Sequence, residues 1–411
     1  MIMNTSRLGA FIVACVPFFL TTALAQEWTP GLEKAEEFNE RWTEWYSHES
    51  KPEWGYETPQ KDTFIVVSPK SGARKNAPLY VVLHSAGHNV QTALNCTKTV
   101  GNHDIYRSPD DFYALYLDCA AHREVDWWWG IQKTKGYELA PVEKRLVDSI
   151  QWVINRYQID ANRVYCCGNS MGGSGTLGFG LRHGDIFAAI KANVPAGVEH
   201  ATARLSLDAQ LPEGVQLPDP PVCVDYSGQN DKWSNGHDFF YKAMAQRRYL
   251  VIGLWGNFGH GNNHNAIKEH NDLIDAFDWT SVVKNAAYPV FLNASTDDTL
   301  PWPSCVDTSP GQINAWFRWE NKLDTPEKVA ISLRLASEEE SPTKIFEAPK
   351  ESTVDVSLRR LQQMKIAPGE TLRWSFGDAS GLVKADASGL VLVPRLKITL
   401  QPTTLTLSRE Q

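Results

Sequence analysis

The sequence contains no run of basic residues, and acidic residues outnumber basic ones. The 411 residues include 40 lysines and arginines against 48 aspartates and glutamates, which gives a formal net charge of −8 at pH 7. Proteins that bind nucleic acids neutralise phosphates with clustered lysine and arginine side chains. The composition therefore argues against a nucleic-acid partner, and its 42% hydrophobic content is enough for a full core.

The N-terminus lacks an apolar run long enough for a typical membrane-spanning helix. Arg7 precedes the short apolar stretch Leu8–Leu20, which contains Pro17, and the small residues Ala23–Ala25 follow it. One cation, a short apolar run and a small-residue cleavage site are typical of a secretory signal peptide. We therefore predict that residues 1–25 are removed and that the mature protein is secreted or periplasmic, without stable membrane insertion.

Cysteine is scarce, with seven residues, and Cys15 lies in the predicted leader. The other six form an even set, which predicts one or two disulfides in an oxidising compartment. They are Cys96, Cys119, Cys166, Cys167, Cys223 and Cys305. We predict a Cys96–Cys119 disulfide, because Cys96 lies in the helix after an early strand and Cys119 lies at the end of the next strand. Cys166 and Cys167 are neighbours in a strand, so they point to opposite faces and suit the core.

Predicted strands alternate with helical segments up to about residue 285. The strands are Thr63–Ser68, Leu79–His84, Tyr113–Leu117, Val164–Cys167, Phe187–Val194, Val222–Tyr226 and Tyr249–Leu254. Runs such as Leu79–Leu83 are apolar throughout, which favours a central parallel sheet covered on both faces. Apolar residues recur on one stripe of Leu139–Tyr157, which predicts an amphipathic helix. The pattern predicts an α/β fold.

The pattern changes after Ala287, where the helical periodicity stops. Segments such as Val329–Leu335 and Thr371–Phe376 alternate apolar and polar residues, which predicts an all-β sandwich. A short helix is predicted over Gly31–Tyr46. The predicted units are a signal peptide (1–25), an N-terminal helix and linker (26–60), an α/β domain (61–287) and a β-sandwich domain (288–411).

One short motif indicates a nucleophile. Residues 168–172 read Gly-Asn-Ser-Met-Gly, directly after the apolar strand Val164–Cys167. Hydrolases present a serine nucleophile between two glycines at a strand-to-helix turn, because small neighbours let the strand and the helix pass closely. We therefore predict that Ser170 is the nucleophile of an α/β-hydrolase fold.

Such a serine needs a histidine and an acid, in the chain order Ser, Asp, His. Asp231 follows the strand Val222–Tyr226, and His260 lies in a glycine-containing loop after Tyr249–Leu254. We predict His260 as the general base and acid, and Asp231 as the residue that orients it. The alternatives are His264 and His270 for the base, and Asp225 and Asp238 for the acid.

A metal site built from His260, His264 and His270 is a second interpretation of the same segment. Four-residue spacing of histidines can chelate zinc on a helix. Gly261 and the two asparagines after it disfavour a helix here, and no glutamate lies between the first two histidines as it does in zinc proteases. We therefore predict no metal.

The tetrahedral intermediate of acyl transfer needs two backbone amides directed at its oxyanion. We predict Met171, directly after the nucleophile, as one donor. The other is expected in the loop after Leu79–Leu83, which reads His-Ser-Ala-Gly-His over residues 84–88, where hydrolases carry a His-Gly turn. A serine replaces the usual glycine, so Ala86, our first choice, and Ser85 both stay open as the second donor.

Tryptophan is abundant, with 15 residues. Trp127, Trp128 and Trp129 follow the strand Tyr113–Leu117, on the edge where α/β active sites open. Aromatic side chains stack on sugar rings and phenolic groups. We predict these three tryptophans and His84 as substrate-binding residues. Packing against a neighbouring loop or the second domain is the alternative for two of the tryptophans.

These motifs resemble those of secreted α/β-hydrolase esterases of the feruloyl and acetylxylan esterase type, and they are similar to those of bacterial polyester depolymerases. The resemblance covers about residues 60–285 and depends on Leu79–Gly87, Gly168–Gly173, Gly228–Asp231 and Gly259–Gly261. It implies an eight-stranded sheet without a lid, no cofactor, and ester hydrolysis through an acyl-enzyme. The C-terminal unit resembles accessory domains of secreted bacterial hydrolases.

The sequence thus predicts an exported serine esterase that removes acetyl or feruloyl groups from polysaccharides or oligosaccharides. One alternative is a serine peptidase of the prolyl oligopeptidase type, although too few residues precede the first strand for the propeller that such peptidases usually carry. Another is a carbohydrate-binding protein with an inactive hydrolase core. The presence of Ser170, Asp231 and His260 argues against that second alternative.

Overall fold

The computed structural model describes residues 28–119, 128, 138–207, 217–262, 264, 273–274, 276–303, 309–341, 343 and 345–409, so the predicted signal peptide lies outside the described residues. The strands are β1 (Gly31–Phe38), β2 (Arg41–Glu49), β3 (Lys61–Val67), β4 (Leu79–Leu83), β5 (Tyr113–Leu117), β6 (Val164–Asn169), β7 (Ala189–Asn193), β8 (Val222–Gly228), β9 (Val251–Gly256), β10 (Tyr288–Leu292), β11 (Gly311–Ile313), β12 (Phe317–Asp324), β13 (Lys328–Leu335), β14 (Glu351–Arg359), β15 (Thr371–Phe376), β16 (Ala379–Lys384), β17 (Val393–Thr399) and β18 (Thr403–Arg409). The α-helices are α1 (Val90–Asn95), α2 (Pro141–Tyr157), α3 (Met171–Gly175), α4 (Val198–Leu207) and α5 (His237–Gln246).

The main sheet of the described residues has ten strands, in the order β1-β2-β3-β5-β4-β6-β7-β8-β9-β11. The strands from β5 to β9 in this order are parallel, and the strands at both edges are antiparallel. Apolar side chains cover both faces, with α1 on one face and α2, α4 and α5 on the other. This is the predicted α/β-hydrolase fold, with β1 and β11 added at the edges of the expected eight strands.

The N-terminal segment corrects one prediction, because it forms strands of the main sheet and not a helix with a linker. β1 and β2 make a hairpin, and β2 pairs with β3. Asn39 and Glu40 form the two-residue turn with φ values of 51° and 62°, the left-handed conformation that tight hairpins need. Most of β1 is exposed, so its glutamates and lysine lie at a charged sheet edge. Strand pairing therefore overrides the helix propensity of this segment, and the sheet begins at Gly31.

The C-terminal segment forms two antiparallel sheets, with strand orders β10-β14-β17 and β12-β13-β18-β15-β16. Apolar side chains of both sheets share one hydrophobic cluster, as expected for a β-sandwich. β11 leaves this unit and pairs with β9 of the main sheet. The segment after residue 287 is therefore all-β, and it also supplies one edge strand of the hydrolase sheet.

Two adjacent arginines connect the C-terminal sheets to the main sheet. Arg359 contacts a carboxylate oxygen of Asp219 at 2.8 Å. Arg360 is buried and donates to the carbonyl oxygens of Phe187 and Ala188, at 2.6 and 2.9 Å. A buried guanidinium needs such acceptors, since an unpaired one would lose its hydration without compensation. These contacts fix the C-terminal unit against the residues that lead into β7.

The predicted disulfide between Cys96 and Cys119 is wrong. All five cysteines of the described residues are free thiols, and Cys305 lies outside those residues. Cys96 packs on the α1 face of the main sheet, whereas Cys119 belongs to the cluster on the opposite face. The sheet therefore separates the two sulfurs. Cys166 and Cys167 do lie in opposite clusters, as predicted from their adjacent positions in β6.

Among the described residues, none of the helices combines the length and apolar character needed to cross a bilayer.

Candidate active site

Ser170 lies on a sharp turn between β6 and α3. Its φ and ψ are 58° and −120°, a conformation that costs a residue other than glycine of order 1–3 kcal/mol. A Cβ atom on Gly168 would overlap the carbonyl of Gly172, and one on Gly172 would overlap the carbonyl of Leu83. The two glycines of the motif are therefore required by space, and they hold Ser170 in the strained conformation of a nucleophile elbow.

The structure brings Ser170, His260 and Asp231 together in one hydrogen-bonded chain. Ser170 Oγ lies 2.7 Å from His260 Nε2, and His260 Nδ1 lies 2.5 Å from Asp231 Oδ2. The other oxygen of Asp231 accepts from the amide of Trp233 at 2.9 Å. Asp231 is buried, whereas Ser170 and His260 are partly exposed. The buried carboxylate can fix the imidazole, while the serine hydroxyl stays accessible to a substrate.

The alternative residues are placed elsewhere. Asp225 is fully buried and accepts from the hydroxyl of Tyr241 at 2.6 Å. Asp238 lies 3.5 Å from Lys242, and His264 lies 3.2 Å from Asp104. His270 lies outside the described residues.

The loop after β4 is attached to the nucleophile turn through Ser85 and Tyr106. The amide of Ser85 donates to the hydroxyl of Tyr106 at 2.8 Å. The hydroxyl of Ser85 donates to the carbonyl of Asn169, directly before Ser170, at 2.8 Å. The prediction of Ser85 as an oxyanion donor is therefore wrong, because its amide already donates to the hydroxyl of Tyr106. Ala86 remains the candidate in this loop.

Met171 is the first residue of α3, so its amide is one of the donors that a helix leaves without an internal acceptor. The amide of Ala86 has no acceptor among the described residues, and Ala86 is exposed. Gly172 touches the end of β4, which brings the start of α3 against the loop that carries Ala86. The two amides therefore belong to adjacent segments beside Ser170.

Replacing Tyr106 with phenylalanine should loosen this loop. The variant leaves the buried amide of Ser85 without an acceptor, so the free energy of unfolding should fall by about 1–3 kcal/mol. We expect kcat for ester hydrolysis to fall about 10-fold with KM nearly unchanged, less than the roughly 10²–10³-fold loss from removing an oxyanion donor. Denaturant unfolding and steady-state kinetics measure the two effects.

Tyr288→Phe is the matched control for this variant. The Tyr288 hydroxyl is also buried, and it donates to the carbonyl of Pro220 at 2.7 Å, away from the elbow. This control should lose stability and keep kcat. An equal fall of kcat in both variants would show that Tyr106 acts only through general stability.

Two predicted substrate-binding residues are structural. His84 is buried and contacts Asp118 at 3.1 Å. Trp128 is also buried, donates its indole N–H to the carbonyl of His84 at 3.0 Å, and packs against Gly175 of α3. Neither side chain can line an open site, because both are buried. Trp128 instead packs behind the turn that carries Ser170. Trp127 and Trp129 lie outside the described residues.

Trp233 is an exposed aromatic residue beside the triad that the sequence analysis did not select. Its ring contacts the His260 ring edge-on, with centroids 4.4 Å apart, and the residue is 48% exposed. Its position two residues after Asp231 was the available signal. An exposed aromatic side chain close to a reacting centre provides a stacking surface for a substrate.

Two further histidines lie near the site, on the segments that follow β4 and α1. The rings of His88 and His103 have their centroids 4.6 Å apart. Burial, together with the neighbouring His88, lowers the pKa of His103 to about 4. His103 is therefore neutral at physiological pH.

No protein-family model and no curated protein sequence matches the chain. Several solved structures are similar at low identity. An S-formylglutathione hydrolase from Agrobacterium tumefaciens is 14% identical with a TM-score of 0.43, and the match covers 61% of this chain and 98% of that one. An S-formylglutathione hydrolase from Staphylococcus aureus is 16% identical with a TM-score of 0.40, covering 56% and 94% of the two chains. A ferulic acid esterase is 14% identical with a TM-score of 0.37, covering 56% and 96%.

Proposed function

We propose that this protein is a serine hydrolase that cleaves carboxylic esters through an acyl-enzyme. The observation that carries the proposal is the continuous hydrogen-bonded chain from Ser170 through His260 to Asp231, with the serine on a strained elbow. A strained, accessible serine in contact with an imidazole is the arrangement that activates a hydroxyl for nucleophilic attack.

In the proposed mechanism, His260 Nε2 takes the proton of Ser170 as Oγ attacks the ester carbonyl. The resulting oxyanion accepts hydrogen bonds from the amides of Met171 and Ala86. His260 then donates the proton to the leaving alcohol as the ester bond breaks. In the second half, His260 takes a proton from the water molecule that attacks the acyl carbonyl. It then returns this proton to Ser170 Oγ as the acyl–Oγ bond breaks and the acid leaves. Every group in this scheme belongs to the chain, so we propose that the reaction needs no cofactor.

Asp231 keeps the imidazole in the reactive tautomer. Its Oδ2 accepts from Nδ1, which leaves Nε2 free to accept the serine proton. Its Oδ1 is held by the Trp233 amide, so the carboxylate cannot rotate without losing a hydrogen bond. The buried negative charge also stabilises the imidazolium that forms during attack.

We further propose that the substrate is an acylated polysaccharide or oligosaccharide met outside the cytoplasm, with acetyl or feruloyl esters as the acyl groups. The predicted signal peptide, residues 1–25, supports export. The exposed ring of Trp233 beside His260 supports an aromatic or sugar ring next to the scissile bond.

The test of the proposed function is hydrolysis of p-nitrophenyl acetate and methyl ferulate by the mature protein. We expect turnover of both esters, and the ratio of the two kcat/KM values reports the acyl preference. A folded protein that hydrolyses neither ester, yet cleaves a peptide substrate, would overturn the ester assignment.

Replacing Trp233 with alanine should affect aromatic substrates selectively. The change keeps the backbone amide that holds Asp231 and removes only the ring. We expect KM for methyl ferulate to rise about 3- to 10-fold, the effect of losing roughly 0.5–1.5 kcal/mol of aromatic contact. KM for p-nitrophenyl acetate, whose acyl group is small, should change less. Equal changes for both esters would argue against a stacking role for Trp233.

A further inference from the structure

Three side chains near the active site form a cluster that the ester-hydrolysis mechanism does not use. His88 ends the loop after β4, Cys96 follows α1 directly, and His103 lies on the next turn. One nitrogen or sulfur atom from each lies within 4.8 Å of the others, and Cys96 Sγ lies 4.0 Å from His88 Nδ1. All three residues are half-buried.

The chemistry of these side chains suits a metal ion better than a hydrogen-bonded network. The side chain of His103 has no hydrogen-bond partner among the described residues, so its nitrogen lone pair is unused there. The His88 and His103 rings lie side by side with their centroids 4.6 Å apart, so each can direct a ring nitrogen at the same ion.

We propose that His88, Cys96 and His103 bind a zinc ion. Two imidazole nitrogens and one thiolate are a ligand set that zinc prefers. In a tetrahedral zinc site the ligand atoms lie roughly 3.3–3.6 Å apart. Side-chain rotations that move the three ligand atoms about 1 Å closer together would therefore give this geometry. Zinc binding replaces the thiol proton of Cys96, which is released to solvent, and a water molecule takes the fourth position.

The proposed zinc site connects two loops that carry active-site residues. His88 lies two residues after Ala86, and its amide donates to the carbonyl of Ser85 at 3.2 Å. On the other side, Asn102 donates to the carbonyl of Gly261, directly after His260, at 2.8 Å. A zinc ion shared by His88 and His103 therefore ties the loop of Ala86 to the loop of His260.

Cobalt titration tests this proposal without any measurement of hydrolysis, so its failure is distinct from failure of the proposed function. Co²⁺ occupies zinc sites, and a cysteine ligand gives a thiolate-to-cobalt charge-transfer band in the near ultraviolet. We expect one Co²⁺ to bind per chain with this band, and Zn²⁺ to displace it. We also expect Zn²⁺ to raise the Tm of the protein.

Three variants locate the site. Cys96→Ser should abolish the charge-transfer band, and His103→Asn should weaken Zn²⁺ binding about 100-fold or more, since even an outer partner of a metal ligand contributes 10–100-fold. The control is His264→Asn, which removes a neighbouring histidine outside the cluster and should bind Zn²⁺ like the original protein. Circular dichroism checks that each variant is folded. Absence of the band in the unaltered protein, or its persistence in folded Cys96→Ser, would overturn the proposal.

Discussion

Ser170→Ala should lower kcat for p-nitrophenyl acetate by roughly 10⁵-fold. The remaining rate should be that of the uncatalysed reaction, plus a small acceleration from stabilisation of the oxyanion. The variant removes the atom that lies 2.7 Å from His260 Nε2, so no acyl-enzyme can form. The fold should be retained, because the methyl group fits wherever the larger hydroxymethyl group did. Steady-state kinetics and thermal unfolding of the same preparation measure both quantities.

Ser174→Ala is the matched control for the nucleophile. This serine lies four residues later at the end of α3, is buried, and donates its hydroxyl to the carbonyl of Ala196. Its loss removes one hydrogen bond near the elbow and should cost about 1 kcal/mol of stability with kcat nearly unchanged. Residual activity of Ser170→Ala within tenfold of the original protein would mean that another residue is the nucleophile.

Asp231→Asn should lower kcat by about 10⁴-fold near neutral pH while KM stays similar. An asparagine can still accept from the Trp233 amide with its oxygen, which directs its NH₂ group at His260 Nδ1. Nδ1 must then accept, so the proton moves to Nε2 and the ring can no longer take the proton of Ser170. The variant therefore keeps the positions of the three side chains but loses the His260 tautomer whose Nε2 can accept the serine proton.

Asp238→Asn provides the comparison for this second variant. Asp238 is the neighbouring alternative acid, and it lies 3.5 Å from Lys242 in α5. We expect this variant to keep kcat within a few-fold. A larger loss of activity in Asp238→Asn than in Asp231→Asn would reassign the acid of the triad.

The residues of the candidate triad could be found from sequence because each lies in a short segment whose chemistry is local. The elbow needs two glycines around the serine, and the structure shows why, since a Cβ at either would overlap a backbone carbonyl. Asp231 and His260 follow the ends of apolar strands, and parallel strands bring such positions to one edge of the sheet. Asp225 and Asp238 stayed open as alternatives to Asp231 because the sequence pattern does not define the residue at which a strand ends.

The second oxyanion donor could not be chosen from sequence. The choice between Ala86 and Ser85 depends on the hydroxyl of Tyr106, 21 residues away, which accepts from the Ser85 amide. No local pattern connects these positions. The same reason explains the errors at His84 and Trp128, since a polar or aromatic residue after a strand can face the substrate or the neighbouring loop.

The N-terminal hairpin was missed for a different reason. Residues 31–38 are rich in glutamate and include lysine and alanine, which are good helix formers, but they form an edge strand paired to β2. Pairing partners distant in sequence decide such segments, so composition alone misleads. In the C-terminal segment, alternating apolar and polar residues predicted β-structure correctly, while the departure of β11 to the main sheet carried no local signal.

The central claim is that Ser170 is an activated nucleophile, and covalent labelling tests it most directly. Diisopropyl fluorophosphate reacts with an activated serine by forming an Oγ–P bond and releasing fluoride. We expect mass spectrometry to show one adduct per chain, on the peptide that contains Ser170, and much slower labelling of Asp231→Asn. A folded protein that takes no label, or takes it equally well as Ser170→Ala, would contradict the account.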